Sequence, residues 1–348
     1  VLIKVASLFS GIGGFEKGFL QADPNTEFVF SSEIDKYARQ IYTKNYGVEP
    51  HGDIKKINAA DVPEHDILCG GFPCQDVSIA GKRAGLCGER SGLFFEIVRI
   101  LREKQPKLVL LENVTGLLSS NRGWDFARVL IELEDVGYTC EWQILNSADY
   151  GVAQNRKRVY IIGYLGGFGG GKILPITTND RSVDEVQKPA TNCLTSRYER
   201  AQTTGSYIIE NQFDAQKIPK VAKCLTGGGH SGGLHSDMTG IAVHSSLPRS
   251  SKSGKGGTGH LQRNDGITYC IDAANNVAVE VNQRIRRLTP VECERLQGFP
   301  DNWTAEGIDS KGNIVKISDT QRYKCLGNAV TTTVTQFIFE NIICKCYI

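Results

Sequence analysis

The sequence predicts an α/β protein whose doubly wound core is interrupted by an inserted, loop-rich, mostly β domain. Three observations predict it. Apolar, β-branched runs of strand length alternate with stretches of helical spacing over 1–165, glycine crowds 166–285 while helical periodicity fades, and helical spacing returns over 286–348. In such a fold, ligands lie at the carboxyl ends of the strands, so residues there are the first candidates for function.

The elements follow in order. Residues 2–9 (LIKVASLF) read as a strand that stops at Ser10-Gly11-Ile12-Gly13-Gly14, residues 15–22 have helical spacing, and 28–32 form a second strand ending at Glu33. Strand, tight glycine turn and helix open a mononucleotide-binding unit, and a carboxylate placed like Glu33 can accept hydrogen bonds from both ribose hydroxyls. Glu16 stands where the third glycine of GxGxxG belongs, and no GK[ST] follows. A nucleoside without a pyrophosphate therefore fits better than a dinucleotide or ATP; a glycine turn serving only close packing fits the same residues. Further strands are expected at 66–70, 108–112 and 159–165, with helices at 93–103 and 124–137. Asp53, Cys74 and Glu112 fall at or just after strand ends. Beyond the insertion, Thr289 with Glu292 forms a capping box, Pro290 takes the first turn, and the helix ends near Gln297-Gly298. Residues 332–343 read as a closing helix that packs back on the first domain.

Composition narrows the function classes. Hydrophobic residues are 40% of the 348, enough for a sizeable core, and 40 Lys and Arg against 38 Asp and Glu leave a net charge of +2. A polybasic nucleic-acid coat is excluded, whereas an enzyme that gathers positive charge in one cleft is not. The mild positive excess lies in the insertion, where it suits phosphates or plain loop solubility. The insertion also carries a faint repeat, PATNCLT at 189–195 against VAKCLT at 221–226, which two similar hairpins would explain. Eleven scattered cysteines, with no signal peptide, point to a reduced cytoplasmic interior; Cys69/Cys74 and Cys344/Cys346 lack matching pairs at zinc spacing, so no metal is expected. No run approaches the ~20 apolar residues of a membrane span. The chain starts at Val1, which predicts loss of an initiator or short leader. Trp124, Trp142 and Trp303 read as packing residues.

The densest local signal is GGFPCQDVS at 70–78. Two glycines let the backbone pass close to a ligand, Pro73 stiffens the turn, and Cys74 follows at the mouth of the sheet as a nucleophile or as a small buried hydrophobe. Residues 76–92 hold four further glycines and three Lys and Arg, suited to a mobile loop that closes over a phosphate-bearing partner.

Taken together, SLFSGIGGFEKGF (7–19), GGFPCQDVS (70–78), Glu112-Asn113-Val114, QNRKR (154–158), RRLTPVECERLQGFP (286–300) and Gly327-Asn328-Ala329-Val330 resemble, in order, the pattern of the DNA cytosine C5-methyltransferases of bacterial and phage restriction-modification type. The resemblance implies an S-adenosylmethionine-dependent catalytic and cofactor-binding core at 1–165, a target recognition domain at 166–285, and a C-terminal segment at 286–348 returning to the core. It implies that Phe9, Gly11, Gly13, Glu33, Ile34, Asp53, Ile54, Leu93 and Asn328 hold S-adenosylmethionine, whose product is S-adenosylhomocysteine, with no metal. It also implies that Cys74 is the nucleophile, Glu112 its partner on the base, and Arg156 and Arg158 anchors of a flipped cytosine. Lys82, Arg83, Arg90, Arg197, Arg200, Arg249 and Arg263 are the candidate contacts to double-stranded DNA. A cytoplasmic monomer of bacterial or phage origin, paired genetically with a restriction endonuclease, is the implied setting. An RNA methyltransferase and a silent DNA-binding regulator are the rivals; loss of Cys74 or Glu112 would mark the latter, and both residues are present.

Overall fold

The computed structural model describes residues 2–73, 92–166, 173–174 and 288–347 in full, and the backbone of five short strands between 190 and 286. A six-stranded sheet forms the core, in the order β2 (Glu27–Ser32), β1 (Lys4–Leu8), β3 (Ile67–Gly71), β4 (Leu108–Val114), β7 (Lys157–Leu165), β5 (Tyr138–Asn146). The first four strands run parallel. β7 is antiparallel to both β4 and β5, so the sheet is mixed. After β4, helix α4 (Trp124–Glu134) carries the chain one strand position further out, β5 forms the edge, and β7 returns through a short connection into the gap. A return that short cannot make a parallel crossover, which needs a dozen or more residues.

Alternation along the strands sorts side chains onto two faces. Ala6, Leu8, Leu68, Val109, Leu111, Val159 and Ile161 pack beneath α3 (Gly92–Lys104) and α4. Val5, Ile67, Cys69, Leu108, Leu110, Tyr160 and Ile162 face α1 (Gly14–Ala22) and α7 (Thr332–Cys346). The closing helix thus packs on the first. Phe19 stacks on Phe339 with centroids 4.0 Å apart, and Gly18 lets the helices touch, since a Cβ there would lie 2.0 Å from Thr335 Oγ1. Burying two such aromatic side chains contributes roughly 2 to 3 kcal/mol each.

A third cluster joins Ile12 to α2 (Lys36–Tyr46), α5 (Pro290–Leu296) and α6 (Asp319–Asn328). Asp35 caps α2 by accepting from the Tyr37 and Ala38 amides, and the Thr289–Glu292 capping box begins α5 as the sequence predicts. The hairpin β13 (Glu306–Ile308) and β14 (Ile314–Lys316) packs on α2 through Gly307.

Several boundaries move. β4 runs on to Val114 because β7 stays paired with it through Arg158, so Glu112 lies within the strand and not at its end. α4 stops at Glu134, three residues early. Of the tryptophans, Trp303 packs as expected, against Phe299 and Tyr46. Trp142 meets Phe126 edge-on but is 46% exposed on the edge strand, and Trp124 is 68% exposed. In the inserted segment, backbone is described for β8 (Ala190–Asn192), β9 (Ala242–Ser245), β10 (Ile267–Cys270), β11 (Val277–Val281) and β12 (Arg284–Arg286), arranged as short ladders, with β10 and β8 extending from β6 (Gln154–Asn155). The rest of the repeat at 189–195 and 221–226 lies outside the described residues. Among the described residues, no helix is long and apolar enough to cross a membrane, and the cysteines are free thiols.

Candidate active site

The carboxyl ends of β1 to β4 open into a cavity of about 540 Å³. Its size suits a small organic ligand. One half is built around Glu33, just past β2. Its Oε2 accepts from the Gly11 amide at 2.8 Å and its Oε1 from the Asp35 amide at 2.7 Å, which fixes the carboxylate against the cavity wall. Burial pushes the Glu33 carboxyl up, and the Asp35, Gly11 and Ile34 amides pull against that rise. Phe9 precedes the glycine turn with φ of 55°, an uncommon conformation for an aromatic residue, costing about 1 kcal/mol or more, and it places the ring in the cavity wall. Ile34 (72% exposed), Ile54 and Leu93 add apolar walls, and Asp53 adds a second carboxylate while capping a short turn through the Lys55 amide. Asn328 completes this half from the end of α6. A carboxylate held by backbone amides, beside apolar walls and a second acceptor, is a set of groups that suits a nucleoside: ribose hydroxyls donating to the first, base faces between the second, an exocyclic amine donating to the third.

The other half is made by Gly71, Phe72 and Pro73 from the end of β3, by Glu112, Asn113 and Val114 of β4, and by Arg156 and Arg158. Arg158 Nε stands 3.0 Å from Glu112 Oε1 as an ion pair without hydrogen-bond geometry, both side chains nearly buried, so the guanidinium charge-compensates the carboxylate and holds it beside the cavity. Gly71 passes close beneath; a Cβ there would lie 3.3 Å from Glu112 Oε2. Asn113 is buried, donates to the Phe72 carbonyl at 3.0 Å and accepts from the Val114 amide at 2.8 Å. It therefore pins the turn that leads to Cys74.

Of the residues singled out in the sequence, Phe9, Gly11, Glu33, Ile34, Asp53, Ile54, Leu93, Glu112, Arg156, Arg158 and Asn328 line this one cavity. Gly13 does not. It precedes α1 with φ of 84°, where a Cβ would collide with the Tyr46 ring, and its carbonyl accepts from the Tyr46 hydroxyl, so it serves close packing. Arg156 borders the cavity, but its guanidinium donates to the Gly327 and Ala329 carbonyls, so its described bonds tie down the turn bearing Asn328. Gly327-Asn328 closes α6. Cys74, Lys82, Arg83, Arg90, Arg197, Arg200, Arg249 and Arg263 lie outside the described residues. Asn113 had no role assigned from sequence; its place between Glu112 and Val114 in a recognised motif was the available signal. Ser32 and Gly52 also line the cavity and carried none.

The comparisons agree with this geometry. The sequence profile of the C-5 cytosine-specific DNA methylase family matches residues 3–344. Similar proteins include the type II methyltransferase M1.ScrFI of Lactococcus lactis subsp. cremoris, 35% identical over 98% of this chain and 78% of that protein. The type II methyltransferase M.HhaI of Haemophilus parahaemolyticus is 32% identical over 98% and 94%. Among solved structures, the fold is like that of the S. pombe Dnmt2 methyltransferase, with a TM-score of 0.59 at 20% identity over 98% of each chain. A profile match over nearly the whole chain, with relatives above 30% identity aligned over 98% of it, establishes that this chain belongs to the C-5 cytosine-specific DNA methylase family.

Proposed function

We propose that the two halves of the cavity hold, side by side, S-adenosylmethionine and a cytosine flipped out of a short, specific sequence of double-stranded DNA. The single observation that carries this is the Glu112–Arg158 pair standing across one continuous cavity from the amide-held Glu33 carboxylate. Glu33 takes the ribose, Asp53 the adenine amine, and Phe9, Ile34, Ile54 and Leu93 the ring faces, with Gly11 and Asn328 closing the pocket. S-adenosylmethionine supplies a methyl group bound to a sulfonium centre.

Cytosine C5 is too weak a nucleophile to take that group unaided. The Cys74 thiolate adds to C6, Glu112 shares a proton with N3 and so stabilises the charge that builds there, and the Arg158 guanidinium keeps Glu112 in place. C5 then takes the methyl group as the S–CH3 bond breaks, its electron pair staying on sulfur to leave S-adenosylhomocysteine; a base removes the C5 proton, and the electron pair of that C–H bond reforms the C5–C6 double bond as Cys74 leaves. None of this can happen within the base stack, so flipping costs a few kcal/mol that DNA contacts must offset. Lys82, Arg83 and Arg90 are proposed to meet phosphates, and Arg197, Arg200, Arg249 and Arg263, within the 166–285 recognition domain, to read base edges or backbone. The 1–165 and 286–348 segments together form the catalytic body. The working form is a cytoplasmic monomer in a bacterium or phage-infected cell, matched by a restriction endonuclease.

Base-resolution bisulfite sequencing of unmethylated duplex DNA, after incubation with the protein and S-adenosylmethionine, tests the reading. Protected cytosines confined to one short motif, and absent with Cys74→Ala, are expected. Full conversion, with DNA and cofactor shown to be bound, would overturn the activity on that substrate.

A further inference from the structure

Behind the wall that Asn328 contributes to the cavity lies a buried polar assembly that the roles above leave unused. Gln297, at the end of α5, is fully buried and uses every hydrogen-bonding position of its amide. Its Nε2 donates to the Leu326 carbonyl at 2.7 Å and the Ala329 carbonyl at 3.3 Å. Its Oε1 accepts from Thr331 Oγ1 at 2.8 Å and from Gln154 Nε2 at 3.2 Å. The two carbonyls decide which end of the amide is nitrogen. Gln154, also fully buried, donates to the Leu296 carbonyl at 2.8 Å, and Ser147 Oγ bridges Thr331 Oγ1 at 2.8 Å to the Arg156 carbonyl at 3.3 Å.

Arg156 completes the enclosure through its bonds to the Gly327 and Ala329 carbonyls. The carbonyls of the α6–α7 turn therefore point inward to fixed donors. Asn328 is the exposed residue between buried Gly327 and Ala329, and it faces the cavity. The same assembly grips 154–156, which leads directly to Arg158 and its contact with Glu112.

We propose that Gln297 and Thr331 are positioning residues that set Asn328 in the cofactor half of the cavity while anchoring the strand that carries Arg158 in the base half. The proposal rests on the reading that this cavity takes the cofactor. A buried hydrogen bond left half-made is costly, so the turn relaxes when a partner is removed.

Thr331→Val removes the hydroxyl at nearly constant shape, and Thr331→Ser restores it. Calorimetric titration with S-adenosylhomocysteine should show affinity reduced by about fivefold or more in Thr331→Val and near wild type in Thr331→Ser. Steady-state kinetics should show a raised KM for S-adenosylmethionine and, as Arg158 loses its anchor, a kcat lowered by severalfold at saturation, both near wild type in Thr331→Ser. Gln297→Leu, monitored by circular dichroism for folding, should weaken binding further. A Thr331→Val protein that melts lower yet binds like wild type would overturn the proposal and leave a purely structural role. Wild-type protein that fails to bind S-adenosylhomocysteine would instead overturn the underlying reading of the cavity.

Discussion

Replacing Glu16 with glutamine should flatten the pH dependence of stability. Glu16 sits on α1 immediately behind the glycine turn, fully buried. The Ser7 and Tyr42 hydroxyls lie against it and offset part of the burial, but neither carboxylate oxygen meets hydrogen-bond geometry with a partner. Burial therefore dominates, with the Glu33 charge adding to it, and raises the carboxyl from 4.5 to about 7. Below pH 4.5 both folded and unfolded chains hold the proton and there is no penalty. Between there and pH 7 the folded protein keeps a proton that the unfolded chain releases, so stability falls as pH rises; above pH 7 the loss is complete. At about 1.4 kcal/mol per unit the full effect is about 3 kcal/mol. Glutamine cannot ionise and has nearly the same shape. Urea denaturation at pH 5 and pH 8 should show the Glu16→Gln protein gaining about 2 to 3 kcal/mol on wild type between the two. An offset of the same size at both values would refute the assignment of a buried, poorly solvated carboxylate to Glu16.

Arg158→Ala should slow single-turnover methyl transfer roughly a hundredfold, because Glu112 loses its orienting cation, while S-adenosylhomocysteine affinity stays within about twofold. Glu33→Gln should weaken cofactor binding by roughly tenfold or more in the same titration, since the charged acceptor is lost and the new amide nitrogen must face the Gly11 or Asp35 amide. Arg322→Ala should destabilise the fold by about 3 kcal/mol in urea titrations, because Glu294 is fully buried and loses its cation at 3.0 Å.

What could be read from the sequence, and what could not, divides along physical lines. Residues carried by strongly patterned strands, glycine turns and caps were legible. The β1–glycine–α1–β2 opening and Glu33, Glu112 on β4, and the Thr289–Glu292 capping box all carry local signals that tertiary packing did not override. Helices α2 and α6 escaped because KYARQIYTKNY and DTQRYKCLGN are polar segments with few strongly apolar residues; Asp35 and the third cluster hold them in place. β5 escaped because it is an edge strand with Trp142 and Ile144 on its exposed surface, so it lacks a clean alternation, and without β5 the antiparallel return of β7 could not be foreseen.

The glycine turn shows why a motif must be resolved residue by residue. Sequence alone left two readings, a nucleoside pocket or close packing, and the structure divides them within five residues. Gly11 lines the cavity and donates its amide to Glu33. Gly13 yields to Tyr46, and a Cβ on Gly14 would lie 2.6 Å from Val330 at the start of the α7 segment. Trp303 and Tyr46 donate to the Ile12 and Gly13 carbonyls, so the C-terminal segment and α2 together brace the turn that presents Gly11. The C-terminal segment is thus part of the cavity wall and not only its cover. A truncation before α5 would therefore be expected to abolish S-adenosylhomocysteine binding even where 1–165 stays folded, because Asn328 and the brace from Trp303 would both be gone.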